Sequence, residues 1–200
     1  MHPLPPPDGD AYDFAMVGAG AAGLTLAMRL GEAFPEARVL LVDPGFGDLS
    51  ARTFAFWCEG EPPLPMAVER SWSRIRVATP DRIVDRELTD HRYHVIGGLG
   101  FRDHALGALA ARGRVHLHLG AADGIDGDDD VARVHAPDLD ARARWAFDSR
   151  VDLEAVPAHP SENVVLSQRF LGWEIESAAD AFDPEIVTLF DFRTDPGHDD

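Results

Sequence analysis

Phe14-Ala15-Met16-Val17-Gly18-Ala19-Gly20-Ala21-Ala22-Gly23-Leu24 is the stretch on which the fold turns. Its first four residues are an apolar run with the length and composition of a buried parallel strand. The run enters the glycines directly. A helical pattern follows over about residues 22–32, with Leu24, Leu26, Ala27 and Leu30 on one face. Arg38-Val39-Leu40-Leu41-Val42 predicts the next strand, which ends at Asp43, twenty residues after Gly23. Each part suits a dinucleotide. Gly18 makes the tight turn, Gly20 lets backbone approach a pyrophosphate, and Gly23 lets helix and strand pack closely. Ala19, Ala21 and Ala22 complete the turn and belong to the same expected site, where helix N–H groups and the positive dipole end face the phosphates. Asp43 is placed to accept hydrogen bonds from ribose hydroxyls; the alternative is an aspartate that caps a turn after a strand. A lone G-x-G-x-x-G is weak, but after a strand, before a helix and with an acid at this distance it predicts a nucleotide site.

The 200 residues suffice for one large domain or one and a half. Residues 1–11 are expected to be a proline-rich, disordered lead-in: they have neither the basic nor the apolar region of a signal peptide. No run approaches the eighteen or so apolar residues of a membrane span. Cys58 is the only cysteine, so an intrachain disulfide is excluded and nothing suggests secretion. A net charge of -17 argues against a nucleic-acid partner and against an electrostatic anchor on anionic lipid. All 18 basic residues are arginines, which excludes a lysine Schiff base or ammonium base in this span. Residues 123–130 and the terminal His198-Asp199-Asp200 are expected to be solvated turn and tail, not a calcium loop. No metal site is expected: His116 and His118 share a strand face without a third ligand in sight. Cys58, with no base nearby, is expected to be buried structure.

Beyond Asp43, Pro44-Gly45-Phe46-Gly47 breaks the strand pattern. Residues 74–77 and 82–84 predict two strands around the turn Thr79-Pro80-Asp81. Residues 101–112 have helical spacing, with Phe101, Ala105, Leu106 and Leu109 on one side and Gly113 as the stop. Residues 115–119 alternate as a strand, and 131–135 with 142–147 predict a hairpin whose turn is residues 137–140. This order predicts a βαβ unit, an excursion, a helix, a further parallel strand and an antiparallel meander. Trp145-Ala146-Phe147-Asp148 then returns to the sheet. Residues 152–163 are expected to be a linker. Segments 164–176 and 187–192, rich in bulky aromatics, predict two long strands of an antiparallel sheet.

Several segments together resemble the flavin-dependent lycopene cyclases. They are the glycine stretch from Asp13, then Arg52-Thr53-Phe54-Ala55-Phe56-Trp57, Tyr93-His94-Val95-Ile96 followed by Phe101, and Phe147-Asp148-Ser149-Arg150. The narrowest are Gln168-Arg169-Phe170-Leu171-Gly172-Trp173-Glu174-Ile175-Glu176, Phe182-Asp183-Pro184 and Leu189-Phe190-Asp191-Phe192-Arg193. The resemblance implies an α/β, Rossmann-like FAD-binding domain of the glutathione-reductase type, over residues 12–151. It also implies part of an antiparallel-sheet substrate domain beginning at 164–194, with 195–200 as a tail. The implied activity is cyclisation of lycopene ends to β-rings without net redox change. FAD would be the cofactor and NAD(P)H the reductant that keeps it reduced and anionic, able to stabilise a carbocation. The implied partners are lycopene and a membrane surface, on the cytoplasmic side and peripherally bound. An acidic patternless surface such as this one would dock through an apolar patch. Family members continue through an acidic motif carrying the proton donor and a second glycine-rich segment; neither is present here, so the chain is expected to be a fragment.

Further residues follow from that resemblance. Arg52 is a candidate for the flavin phosphates or ribitol, or else a surface arginine. Asp148, at the end of a strand where open α/β sheets bind ligands, is a candidate cofactor contact, or else the turn before the linker. Gln168, Phe170 and Trp173 are candidates to line the polyene cavity, or else strand-core residues. Asp191, flanked by phenylalanines, is a candidate acid if buried with a raised pKa, or else a solvent-facing residue of an alternating strand. The main acid is expected beyond this chain. The alternatives to a cyclase are another FAD-dependent oxidoreductase of the same fold, such as an aromatic hydroxylase or isoprenoid reductase, and a non-catalytic nucleotide-binding fragment.

Overall fold

The structure is a computed structural model and describes residues 11–46, 49, 52–62, 64–150, 171–178 and 181–193. The lead-in up to residue 10, the linker 152–163, residues 164–170 and the tail 195–200 lie outside the described residues. In chain order the elements are β1 (Ala11–Val17), α1 (Ala21–Ala33), β2 (Val39–Asp43), β3 (Thr53–Glu59), a 3-10 turn (Pro65–Ala67), β4 (Val68–Trp72), β5 (Arg74–Ala78) and β6 (Ile83–Glu87). They continue with β7 (His91–Gly97), α2 (Gly98–Ala111), β8 (Val115–Leu119), β9 (Gly124–Gly127), β10 (Ala132–Ala136), β11 (Leu139–Asp148) and β12 (Ile186–Asp191). The sequence pattern does not predict β3, β4 or β7 as strands; they form a sheet of order β3-β7-β4.

The chain divides into two compact units, one of residues 1–55, 63–70 and 95–150, the other of 56–62, 71–94 and 151–200. The first is built on a sheet of order β8-β2-β1-β11-β10-β9. β8, β2, β1 and β11 run parallel, and β10 and β9 continue antiparallel. Val39, Leu40, Leu41 and Val42 are all buried, as expected of a strand covered on both faces. α1 turns Leu24, Ala27 and Met28 inward; α2 buries Phe101, Ala105, Leu106 and Leu109, the face its spacing predicted. Gly113 ends α2 at φ +68, where a side chain would be strained.

β11 serves two partners. Its first half pairs with β10 up to Ala143, while residues 142–148 pair with β1. The hairpin turn is therefore shorter than predicted. Leu139 and Asp140 pair with Ala136 and His135, which leaves Pro137-Asp138 as the turn. A short strand, β9, occupies part of the stretch expected to be only turn, because Ile125 pairs with the buried Val134. The remainder is the expected turn, with Asp128 Oδ1 accepting the amides of Asp130 and Val131 at 2.9 and 3.0 Å.

In the second unit, β5 and β6 form the predicted hairpin around Thr79-Pro80-Asp81, closed by the 2.8 Å bond from Thr79 N–H to the Arg82 carbonyl. β12 joins this sheet, but parallel to β5 and with a register shift between Thr188 and Phe190. The sequence pattern predicts an antiparallel sheet for 164–176 and 187–192; the second segment is a strand, but its pairing is parallel. Residues 171–177 carry no strand, and Leu171, Trp173 and Ile175 are all exposed. β12 instead takes the edge that β5 leaves open on the side away from β6. The Trp72 indole N–H holds the preceding bend through the Pro184 carbonyl at 3.1 Å.

Candidate functional site at the glycine turn

The end of β1 lies between two neighbours, with Val17 opposite Val42 of β2 and Asp148 of β11. Chain connections leave β1 toward β2 on one side and return as β11 on the other, so the carboxyl end of β1 is a topological switch point, where open α/β sheets bind ligands. Gly18 turns the chain there at φ +96. Its N–H donates to the Val42 carbonyl at 2.9 Å. Ser149 clamps the turn from the other side, its N–H on the Val17 carbonyl at 2.9 Å and its hydroxyl 3.0 and 3.2 Å from the Val17 and Gly18 carbonyls.

The three glycines have three distinct environments. A Cβ on Gly18 would collide with Ser149 Oγ, and one on Gly23 with the Gly18 carbonyl oxygen. Gly23 therefore lets α1 sit directly on the turn. A Cβ on Gly20 would meet nothing within 4 Å, and Gly20 itself has an ordinary extended backbone (φ -74, ψ -171). Packing does not require a glycine at this position. What its bareness leaves is open space above the first turn of α1. The first intrahelical bond runs from Leu24 N–H to the Gly20 carbonyl at 3.0 Å, so the amides of Ala21, Ala22 and Gly23 have no partner within the helix. α1 has neither a side-chain cap nor an acidic residue in its first turn. Positive potential at this end is left uncancelled, which suits an anion.

Asp43 closes the site at the end of β2. Its Oδ2 accepts the Ala19 amide and its Oδ1 the Gly45 amide, each at 2.9 Å. Each carboxylate oxygen keeps a second lone pair, so both bonds are compatible with accepting ribose hydroxyls. The tie to Ala19 also couples Asp43 to the shape of the glycine turn, a function its spacing alone did not disclose. Ser149 was likewise visible only as part of a matched segment; its role follows from the parallel pairing of β11 with β1.

The other expected residues are distributed differently. Asp148 stands at this edge, but its carboxylate is held by the Arg150 guanidinium at 2.8 and 2.9 Å, and that pairing keeps its pKa below the usual carboxylate range. Arg150 in turn donates to the Ala122 carbonyl at 2.6 Å, so the pair braces the strand end. Arg52 is exposed and positioned by its backbone: its N–H donates to Leu49 and its carbonyl accepts from Gly98 at the start of α2. Gln168 and Phe170 lie outside the described residues. Trp173 is 78% exposed.

Of the two alternatives for Asp191, the structure shows the exposed one and not the buried acid. The Arg193 guanidinium grips the carboxylate at 2.6 and 2.8 Å and, with the Arg193 amide, holds its pKa down at about 2. A side chain so held is an acceptor at neutral pH, the opposite of a proton donor. Because the folded pKa is depressed, the pair's contribution to stability is present above the unfolded aspartate value of about 3.9 and lost as pH falls through about 2. A carboxyl carbon NMR titration is expected to find Asp191 ionised until pH nears 2 in the native protein and to return to an ordinary aspartate midpoint in Arg193→Ala.

His116 is buried with Nδ1 bonded to the Tyr12 hydroxyl at 2.5 Å, a satisfied core histidine. Among the described residues no group of histidine, cysteine and carboxylate side chains could hold a metal. Cys58 is half-buried, not buried as expected; its S–H lies 3.3 and 3.6 Å from the Glu59 and Glu61 carbonyls. Among the described residues no helix is long and apolar enough to cross a membrane.

A parallel sheet with a glycine turn at its switch point, extended by a meander whose last strand rejoins it, defines the Rossmann-like FAD-binding domain of flavoenzymes. Solved structures agree on the fold. Halogenase PltM, in a complex with phloroglucinol and FAD, is 16% identical with a TM-score of 0.50 over 70% of this chain and 34% of its own. p-Nitrophenol 4-monooxygenase PnpA from Pseudomonas putida DLL-E4 is 18% identical with a TM-score of 0.54 over 70% of this chain and 41% of its own. NikD, an amino acid oxidase of nikkomycin biosynthesis, is 14% identical with a TM-score of 0.51 over 70% and 51%. This chain thus spans between about a third and a half of the length of these structures. The family model described as lycopene cyclase protein matches residues 13–199, and the chain belongs to that family. No curated protein sequence matches it.

Proposed function

We propose that the chain is the flavin-binding, N-terminal portion of a lycopene beta-cyclase, which closes the ends of lycopene to β-rings in carotenoid biosynthesis. The observation that carries the reading is the glycine turn. Two of its glycines are required by packing, and the third faces open space beside unpartnered helix amides. The donor set fits FAD: amides of Ala21, Ala22 and Gly23 for the pyrophosphate, Asp43 for the ribose. Bound FAD, reduced by NAD(P)H, supplies negative charge that stabilises a cation formed on the polyene. This chain's own part is to hold the turn rigid through Ser149, Val42 and Asp43 and to keep the phosphate cradle free of side chains. Arg52 and Asp148 flank the cofactor as secondary contacts.

Lycopene is the substrate, with Trp173, Gln168 and Phe170 as wall residues. The enzyme works at the cytoplasmic face of a membrane, because its substrate lives in lipid. The exposed apolar side chains of the second unit, Leu171, Trp173, Ile175, Phe182, Phe190 and Phe192, support docking through apolar contact in a chain too acidic for an electrostatic anchor. The fold shared with a halogenase, a monooxygenase and an oxidase favours one rival, a redox flavoenzyme. Expression of the full reading frame in a lycopene-accumulating host separates the two. A cyclic carotene is expected; lycopene left unchanged by a flavin-loaded protein overturns the cyclase reading. Asp43→Ala is expected to weaken FAD binding about tenfold or more, read by quenching of flavin fluorescence, since it removes acceptors for charge-assisted bonds.

A further inference from the structure

β11 outruns its neighbour β10. β10 pairs with residues 139–143, while β1 pairs with residues 142–148 on the other side. Among the described residues, Arg144-Trp145-Ala146-Phe147-Asp148 therefore has one edge without a strand. An open edge presents free amides and carbonyls and is a template for another strand. No proline or bulge blunts this one, and its centre is apolar, with Trp145 62% exposed. Trp145 stands opposite Phe14 in the β1 register, and the Phe14 ring meets that of Phe34 at 5.6 Å. With Pro35, the three rings wall a cleft of about 630 Å³ between the end of α1 and this edge. All these residues belong to the first unit.

The order of residues along the edge decides what fits it. Read antiparallel against itself about Ala146, the segment sets Arg144 opposite Asp148, Trp145 opposite Phe147 and Ala146 opposite Ala146. Opposite charges and aromatic pairs directly across an antiparallel ladder are favourable. Arg144 is exposed and, among the described residues, has no hydrogen bond or ion pair. Asp148 accepts from Arg150 at 2.8 and 2.9 Å, yet a carboxylate has about four acceptor positions, which leaves room for a second guanidinium. Arg144, Ala146 and Asp148 alternate with Trp145 and Phe147, so the charges fall on one face of such a joint and the rings on the other.

We propose that the first unit pairs with a second copy of this chain through residues 144–148, the two β11 strands antiparallel about a two-fold axis at Ala146. The contact is isologous, so it closes at two copies. Each dimer holds two Arg144–Asp148 pairs and two Trp145–Phe147 pairs, and the aromatic clefts of the two copies adjoin across the axis. β1 runs parallel to β11 within each copy, so the two glycine turns lie at opposite ends of the joined sheet and neither is covered.

Sedimentation equilibrium of the 200-residue chain tests this. Wild type is expected at twice the chain mass. Arg144→Asp sets like charges opposite each other twice per dimer, as does Asp148→Arg, and each is expected to weaken association about tenfold or more. An equimolar mixture of the two variants has opposite charges at both pairs and is expected to recover the dimer as a mixed species. Should Asp148→Arg fail to fold for want of its Arg150 pair, amide exchange of the wild type decides: protection over 144–148 that is lost on dilution supports the joint, and protection independent of dilution overturns it. A monomeric wild type overturns the proposal, whether the edge is bare or covered by a strand of its own chain. A dimer indifferent to both charge reversals overturns it as well, because another face then holds the copies together.

Discussion

Gly20→Val is expected to weaken flavin binding about 100-fold in a protein that still folds. The Cβ points into space with nothing within 4 Å, and the backbone already has the extended conformation a valine prefers. Thermal or denaturant unfolding should therefore shift by no more than about 1 kcal/mol, the cost of a poor helix cap. The same methyl groups would stand where the pyrophosphate must approach the α1 amides. Losing two charge-assisted bonds of about 1.5 kcal/mol each weakens binding about 100-fold. Titration with FAD, followed by flavin absorbance and fluorescence, separates this from unfolding. Wild-type affinity in Gly20→Val would remove the ground for placing a dinucleotide at this turn, and with it the cofactor reading.

Gly23→Ala should do the reverse, with its large effect on stability. Alanine in a helix interior is favoured over glycine by about 1 kcal/mol. Against this, the new Cβ would overlap the Gly18 carbonyl oxygen, which is backbone. That backbone has little freedom to yield, because Gly18 N–H is bonded to Val42 and the Val17 and Gly18 carbonyls are clamped by Ser149. Overpacking against a fixed atom costs about 3 kcal/mol, so the net destabilisation is about 2 kcal/mol, or a fall of about 4–8 °C in Tm. An alanine variant as stable as wild type would mean that α1 slides freely over the turn, contrary to the clamp.

Much of the first unit was legible because it is built from local patterns. The strand, turn, helix, strand and acid of residues 14–43, the buried face of α2 and the Gly113 stop each depend on neighbours a few positions apart. The β5–β6 hairpin was visible for the same reason, its turn carrying Thr79-Pro80-Asp81 between two short runs that mix arginine with β-branched residues. Where the reading failed, the deciding partner was distant. Residues 187–192 look like a strand and are one, but their partner is β5, more than a hundred positions earlier, and they run parallel to it. That pairing does not follow from alternation, because alternation reports that a strand has two faces and is silent on what lies along its edges.

Residue order alone was enough to establish a nucleotide-type turn and its acid, since glycine spacing and apolar periodicity act within one turn of helix or one strand. Three-dimensional packing had to decide which glycine serves the ligand and which serve the fold, that Ser149 bolts the turn shut from 131 positions away, and that β11, among the described residues, keeps an open edge at 144–148. Those are properties of contacts between remote segments, and such contacts are chosen by the closing of the whole sheet, which no local pattern records.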